Sequence, residues 1–433
     1  MISRMIELAE PREQAVLVGA PTRGVTREQA GEHLDELARL AHTAGADIAG
    51  TVIQRLDAPH PRFYLGAGKV DALRRQIHAS GGTLIVFDEE LSPAQGKNLE
   101  DFTGTRVVDR AELILDIFAS RARTAEARMQ VELAQLQYLL PRLTRMWVHL
   151  SRVRGGIGMR GPGETQLETD RRIINRKIAR LKRELERVER GRETRRKGRS
   201  GEFRATLVGY TNAGKSSILR ALSGSDLFVE DRLFATLDAA TRTVELDGGH
   251  HALVTDTVGF IRKLPHHLVA SFRGTLAEVA GADLILHVLD VSHPGWEERA
   301  RVVDEAIAGL GLDGVATALV CNKVDRLTHQ EEGDLARRLE VAADLPALFV
   351  STVEAGALEP LRRFLLERVL ERHGEVDVTL PATDGAALAE LYRLGEVVGR
   401  EEEGDEIRLR MRLPEPALGR LRRRAGLRVT EAA

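Results

Sequence analysis

Apolar and polar positions alternate in blocks up to about residue 120, and each block reads as a strand or a helix. Gln14-Ala-Val-Leu-Val-Gly19 reads as a strand, and Glu28–Leu40 as the amphipathic helix that follows it. Ile48–Ile53, Thr83-Leu-Ile-Val-Phe87 and Thr105-Arg-Val-Val108 continue as strands. Helices are predicted to begin near Ala67 and at Ser92, where Ser92-Pro93 suits an N-cap followed by the first helical position. This strand–helix rhythm predicts a small parallel α/β domain.

From Met129 the period changes. Met129, Leu133, Leu136, Leu140, Leu143, Trp147 and Leu150 recur in steps of four and three, which marks a helical seam. Pro141 lies off the seam and should kink or interrupt the helix. Ile174, Ile178, Leu181, Leu185 and Val188 form a second seam. Two seams around a glycine-rich break predict an antiparallel helical hairpin, with its tip between Arg152 and Gly163. Arg152, Arg154 and Arg160 make that tip cationic, so it could follow an irregular RNA backbone; a disordered connector is the alternative.

Further on, Ala205–Val208, His251–Thr255, Thr317–Cys321 and Leu348–Val350 are short apolar runs of buried-strand type. After about residue 371 a small tail reads as a strand over Val376–Leu380, a helix over Ala386–Val398 and a strand over Ile407–Leu413. That last strand places Arg408, Arg410 and Arg412 on one face, open either to RNA or to water.

Charge sharpens this picture locally rather than globally. The 433 residues hold 63 Lys and Arg against 65 Asp and Glu, a formal net charge of −2, yet Arg171–Arg204 alone carries fifteen Arg or Lys against five Glu. A solvated helix face would be more balanced, so this stretch points to an acidic partner, or to a basic linker. Cys321 is the single cysteine, which excludes disulfides and a cysteine-based zinc site within the chain. No apolar run approaches the roughly 20 residues that span a bilayer, and Met1–Pro11 lacks a signal-type apolar stretch. A soluble cytoplasmic protein is expected.

The candidate chemistry begins at Gly209-Tyr-Thr-Asn-Ala-Gly-Lys-Ser216, between a strand and the helix-forming Ser217–Leu222. G-x-x-x-x-G-K-S in that setting is a phosphate loop: backbone N–H groups of Gly209, Tyr210, Thr211, Asn212, Ala213, Gly214, Lys215, Ser216 and Ser217 cradle phosphates. Lys215 would meet the β/γ-phosphates and the Ser216 hydroxyl would bind Mg²⁺. Asp256 in Asp256-Thr-Val-Gly259 would hold Mg²⁺ through water, and the Gly259 N–H would sense the γ-phosphate. Asn322-Lys-Val-Asp325 selects the base. Asp325 can accept from guanine N1–H and its 2-amino group, which adenine lacks, so a selectivity of about 10⁴ is physically reasonable. Asn322 would buttress the phosphate loop, the Lys323 stem would cover the base, and Ser351-Thr352 suits the last base-contacting loop. Thr236, with Thr241 as competitor, is the candidate switch threonine on Mg²⁺.

Hydrolysis lacks an obvious water-orienting side chain. Phe260 follows Gly259, where many small GTPases have glutamine. Asn212 is a candidate K⁺ ligand or else a loop-stabilising side chain, so the catalytic set is Lys215, Thr236, Gly259 and Asn212. The expected organisation is multidomain α/β: an N-terminal α/β domain (1–120), a helical hairpin (121–200), a P-loop GTPase domain (201–372) and a small C-terminal α+β domain (373–433).

Gly155–Arg171, the phosphate loop, Leu233-Phe-Ala-Thr-Leu-Asp238 and Asp256-Thr-Val-Gly-Phe-Ile261 together resemble HflX-type GTPases. So do Pro59-His-Pro61, Gly66-Ala-Gly-Lys69 and Leu91-Ser-Pro-Ala-Gln95. The resemblance extends from about residue 14 to residue 370 or beyond, and departs at Ser217, at Ala239-Ala240 and at Thr352, where the family often has Thr, Pro-Thr and Ala. It implies a GTPase that binds the large ribosomal subunit and ribosomal RNA, splits ribosomes under stress, and is stimulated by the ribosome. It also implies ATP at the N-terminal domain, with Gly66 and Lys69 as candidates; from the residues alone, Gly66–Lys69 reads first as a helix start. Ribosome assembly or RNA remodelling without splitting is the alternative, and a nucleotide-gated RNA-binding regulator is the alternative of another class.

Overall fold

The computed structural model describes residues 12–146, 162–197, 202–225, 232–264, 281–312, 314–342, 345–413, 415–422, 424 and 426–431. Residues 152–161 of the predicted tip, with Arg152, Arg154 and Arg160, and the seam residues Trp147 and Leu150 lie outside the described residues. Contacts divide the rest into two units. One holds the described residues up to 189 together with 232–238 and 261–264; the other holds those from 190 onward except these two segments.

The first unit opens with β1 (Gln14–Gly19), α1 (Arg27–Thr43), β2 (Asp47–Ile53), α2 (Ala67–Ser80), β3 (Leu84–Phe87), α3 (Pro93–Thr103), β4 (Arg106–Asp109) and α4 (Arg110–Arg121). The strands pair in parallel in the order β2-β1-β3-β4, as the sequence rhythm requires. β3 is buried along its whole length because helices cover both of its faces. Thr26 and Ser92 cap α1 and α3 through reciprocal bonds with Gln29 and Gln95, which stop the chain from continuing as strand. Gly66 caps α2, so Gly66–Lys69 forms the start of a helix.

Two helices extend from this sheet: α5 (Ala125–Met146) and α6 (Pro162–Lys197), joined across their faces by Lys177 and Glu132. Pro141 does not interrupt α5, one of the two outcomes the sequence led us to expect. Arg142 Nη1 donates to the Tyr138 carbonyl at 3.1 Å, and the helix runs on to Met146. The buried stripe also differs from the predicted seam. Ala127, Val131, Ala134 and Tyr138 are buried with α5 packed on α4; of the seam residues Leu133 is buried, while Met129, Leu136, Leu140 and Leu143 are half-buried. On α6, Leu181 is buried and its seam partners are half-buried, as expected. Asp109 pins the base of this hairpin. It caps α4 at Glu112 N and accepts from Tyr138 Oη at 2.9 Å and Arg142 at 3.1 Å. Burial and the Asp109 carboxylate push the Tyr138 hydroxyl far above its ordinary pKa, so it stays a donor.

Strand order reverses between β1 and β3, the place where open α/β sheets take ligands. Here that crevice is acidic. Asp88 bonds Arg110 at 2.7 Å and also Lys263, and Glu89 bonds Lys263 at 3.2 Å. Arg110 further bonds Glu36 and donates to the Arg262 carbonyl at 3.2 Å. Burial opposes ionisation of Asp88, but Arg110 and Lys263 outweigh it and hold its carboxyl below the usual range.

In the second unit, β5 (Arg204–Gly209), α7 (Lys215–Ser223), β6 (Ala240–Glu245), β7 (His251–Asp256), β8 (Leu284–Asp290), α8 (Trp296–Gly309), β9 (Thr317–Asn322), α9 (His329–Ala342), β10 (Ala347–Val350) and α10 (Glu359–Glu371) build a sheet of order β10-β9-β8-β5-β7-β6. All neighbours are parallel except β6, which runs antiparallel to β7. Its core includes Leu207, Ile218, Leu219, Val254, Leu286, Val288 and Val320.

β11 (Gly374–Pro381), α11 (Gly385–Leu394), β12 (Glu396–Glu403), β13 (Glu406–Leu413), α12 (Glu415–Leu421) and β14 (Arg428–Glu431) follow as an antiparallel sheet of order β12-β13-β11-β14. The helix predicted to reach Val398 stops at Leu394, because Gly395 runs extended against the Arg412 carbonyl, where a Cβ would collide. The arginines of β13 are not an open cationic face. Arg408 and Arg410 bond Asp377 at 2.5 and 3.2 Å, and Arg412 lies between Glu375 and Glu396. Those donors hold the Asp377 carboxyl below its usual pKa. Among the described residues, no helix is long and apolar enough to cross a membrane.

Replacing Arg110 by Met would leave Asp88 and Glu36 buried against a missing partner. Removing one member of such a pair costs about 3–5 kcal/mol. The expected result is a lower urea midpoint for Arg110→Met than for the exposed control Arg23→Met.

Candidate nucleotide site

Strand β5 delivers the phosphate loop and α7 carries it away. Gly214 takes φ +98, and a Cβ there would run into the Asn322 amide, so no other residue fits the last turn before Lys215. Lys215 is buried and donates to the carbonyls of Gly209 at 3.1 Å and Tyr210 at 2.9 Å. Burial drives its pKa from 10.5 down to about 8, against the opposing pull of Asp256. The Ser216 hydroxyl donates to Asp256 Oδ2 at 2.5 Å. Two oxygen ligands so close suit a hard divalent cation such as Mg²⁺.

Gly259 lies directly against the loop. A Cβ on it would come within 2.8 Å of Thr211 Cα and 3.0 Å of Lys215 Nζ, so the sensor position must be glycine. Phe260 fixes that approach with its backbone. Its N–H donates to the Gly209 carbonyl at 3.0 Å, and its carbonyl accepts from Thr211 N–H at 2.7 Å. The Phe260 side chain is buried, which accounts for an apolar residue where other GTPases have glutamine.

The candidate base-contacting residues converge from the ends of β9 and β10. Asn322 Nδ2 donates to the Ala213 carbonyl at 2.8 Å, and Lys323 Nζ to the Asn212 carbonyl at 3.0 Å. Asp325 accepts from the Ser351 hydroxyl at 2.6 Å, and Ser351 Oγ in turn accepts from Val353 N–H at 3.1 Å. This leaves Asp325 oriented with an oxygen for a guanine edge. Thr352 follows Ser351, half-buried. Ser217 lies in the first turn of α7, half-buried, and Asn212 is exposed with φ +63.

Thr236 is the exception among the sequence-derived candidates, because it belongs to the first unit whereas Ser216 and Asp256 belong to the second. Its neighbours Leu233, Phe234 and Leu237 are buried, and the Phe234 ring meets Phe118 edge-on at 4.7 Å. Just before α5, Asp238 accepts from Arg123 N–H at 3.2 Å and from the Thr124 hydroxyl, whose oxygen in turn accepts from Ala127 N–H at 3.1 Å. Thr241, the competitor, is engaged on β6 by the Thr255 hydroxyl at 2.9 Å. The sequence reading missed Asp290, which bonds Lys323, and Arg299, whose guanidinium lies 5.0 Å from the Tyr210 ring centre. An Asp closing a strand before the base motif was the one available signal.

Three family models match in succession: the GTP-binding GTPase N-terminal region over residues 31–119, the GTP-binding GTPase middle region over 121–199, and the 50S ribosome-binding GTPase over 204–323. The chain is 43% identical to the GTPase HflX of Magnetococcus marinus over 420 residues, covering 96% of each chain. It is 38% identical to that of Escherichia coli over 424 residues, covering 95% and 96%. The chain belongs to the HflX family of GTPases. A solved GTP-binding protein of Sulfolobus solfataricus in complex with GDP is also similar, at 22% identity and a TM-score of 0.44, covering 83% of this chain and 99% of that one. As an HflX family member with this phosphate loop, the protein hydrolyses GTP.

The Lys215 pKa gives GTP and GDP binding a defined pH dependence. Phosphate oxygens favour the ammonium, so binding raises the pKa and takes up a proton wherever the free site has lost it. Nucleotide affinity of this HflX protein should therefore be flat below about pH 8 and fall above it, by at most about tenfold per unit. Titration with a fluorescent GDP analogue from pH 7 to 10 measures this; affinity rising above pH 8 would contradict the assignment.

Proposed function

We propose that this GTPase is a ribosome-directed switch. GTP and Mg²⁺ order the segments around Thr236 and Gly259, that state binds the large subunit, and hydrolysis releases it. Ser216 and Asp256, with Thr236 once GTP arrives, would hold Mg²⁺, which supplies charge neutralisation at the phosphates. Gly209–Ser217 would cradle the phosphates, and Asn322, Lys323, Asp325, Ser351 and Thr352 the base. Asn212 is the proposed K⁺ contact. Ribosome dissociation or rescue under stress is the finer reading, which places the protein's work in the cytoplasm.

The observation that carries the proposal is the distribution of the sensor-flanking segments. Residues 232–238 and 261–264 group with the unit that bears the helical hairpin, not with the phosphate loop to which the chain connects them. Phe234 at φ +56 and Lys263 at φ +51 hold left-handed conformations unusual for such residues. Burial of Phe234 and the ion pairs of Lys263 keep them there. A γ-phosphate that draws Thr236 and Gly259 inward would act on these segments directly. On α6, Arg171, Arg172, Arg176, Arg180, Arg183 and Arg187 are exposed, which suits an RNA backbone. ATP at the N-terminal domain has less support. Gly66–Lys69 is a helix start, and the crevice at the strand reversal is lined by carboxylates that favour cations.

GTP hydrolysis measured with and without large subunits, in K⁺ and in Na⁺, beside subunit sedimentation, tests this reading. Expected are slow turnover alone, stimulation by the subunit, and further stimulation by K⁺. Several turnovers per second in Na⁺ alone would overturn it. Lys215→Ala should abolish GTP binding and GTP-dependent ribosome binding; full ribosome affinity in that variant would favour an RNA-tethered regulator. Deleting Gly155–Gly163 should spare GTP binding and lose ribosome release. Stimulated hydrolysis without any subunit separation would favour an assembly or remodelling role.

A further inference from the structure

Asp290 closes β8 and touches neither the phosphate loop nor the proposed base contacts Asp325 and Ser351 among its recorded bonds. Both of its oxygens are engaged. Oδ2 accepts from Lys323 Nζ at 2.6 Å, and Oδ1 accepts from the Ser292 hydroxyl at 2.6 Å. The Ser292 bond fixes the carboxylate plane, so the oxygen facing Lys323 is set before any nucleotide arrives. Lys323 Nζ makes a second bond, to the Asn212 carbonyl at 3.0 Å, and thereby bridges the base motif to the phosphate loop.

Lys323 also stands at φ +68, a conformation a lysine keeps only where its surroundings over-determine it. Its side chain is 19% exposed and that of Asp290 14%, so water screens this pair weakly. Asn322 and Asp325 flank Lys323 in the chain. A shift of that turn would move the amide that holds Ala213 and the carboxylate that faces the base together. We propose that Asp290 is a positioning residue for nucleotide binding: it holds Lys323 against the Asn212 carbonyl and so locks the base-recognition turn to the phosphate loop. The idea rests on the guanine-nucleotide reading of the site, which Lys215→Ala tests separately.

The experiment measures GDP and GTP affinity, kcat and KM for Asp290→Asn, Asp290→Glu, Lys323→Met and the double variant Asp290→Asn/Lys323→Met, with a thermal melt of each. Asp290→Asn should weaken GDP and GTP alike by about tenfold or more, the scale of a lost hydrogen bond to a charged group, with kcat at saturating GTP within about twofold. Asp290→Glu should recover most of the affinity. The double variant should bind no more weakly than Lys323→Met alone, since both changes remove one link. Affinity losses that multiply in the double variant, an Asp290→Asn protein of unchanged affinity, or a loss confined to kcat would each overturn the proposal. If Asp290→Asn fails to fold, Asp290→Ala takes its place: an affinity loss like that of Lys323→Met supports the link, and unchanged affinity refutes it.

Discussion

A phosphate loop turns successive N–H groups inward, which leaves its carbonyls pointing away with neither helix nor sheet to receive them. In this protein the carbonyls of Gly209, Asn212 and Ala213 are met by residues from other motifs, and the loop's own Lys215 reaches back to two of its carbonyls. Gly209 receives Phe260 N–H and Lys215, and Tyr210 receives Lys215. Asn212 receives Lys323, and Ala213 receives Asn322. The proposed sensor and base motifs are therefore structural parts of the phosphate cradle, whatever they also contribute to the nucleotide. Their spacing along the chain looks loose because the sheet order β9-β8-β5-β7 is what brings them to one edge.

Electrostatics organises the first unit differently. Its sheet places carboxylates at the strand reversal, and buried Arg110 with Lys263 neutralises them. An unpaired carboxylate there would be costly, so the cations and the segment that carries them are held where they are. The same physics closes the small C-terminal sheet, where Asp377 takes two arginines that sequence alone leaves looking like a cationic face.

The parallel strands of the first unit were readable because their apolar runs lie between good N-caps, Thr26 and Ser92. The phosphate loop, Asp256, Gly259, Asn322 and Asp325 were readable because each motif needs particular residue types at fixed spacing. Strand β12, with its run Arg400-Glu-Glu-Glu403, was not readable, since the run is exposed and charged, with Glu401 in register with Arg408 of β13, rather than forming an apolar pattern. The buried stripe of α5 was only partly read: Leu133 of the predicted seam is buried, but so are the small residues Ala127 and Ala134, which a search for large apolar side chains passes over. The interruption expected at Pro141 does not occur, as the helix continues past it.

By itself the sequence pointed to a GTPase, since Asn322-Lys-Val-Asp325 and the G-x-x-x-x-G-K-S loop are motifs of short local spacing that any folded context must respect. It also determined the family, through motifs spread over most of the chain. Only the tertiary structure decided which unit holds the segments around Thr236 and Lys263, because that depends on burial of Phe234 and on carboxylates of Asp88 and Glu89 far away in sequence. It alone gave Asp290 a place as well. A lone aspartate at a strand end carries no pattern, and its meaning lies in the ammonium that the neighbouring strand sets beside it.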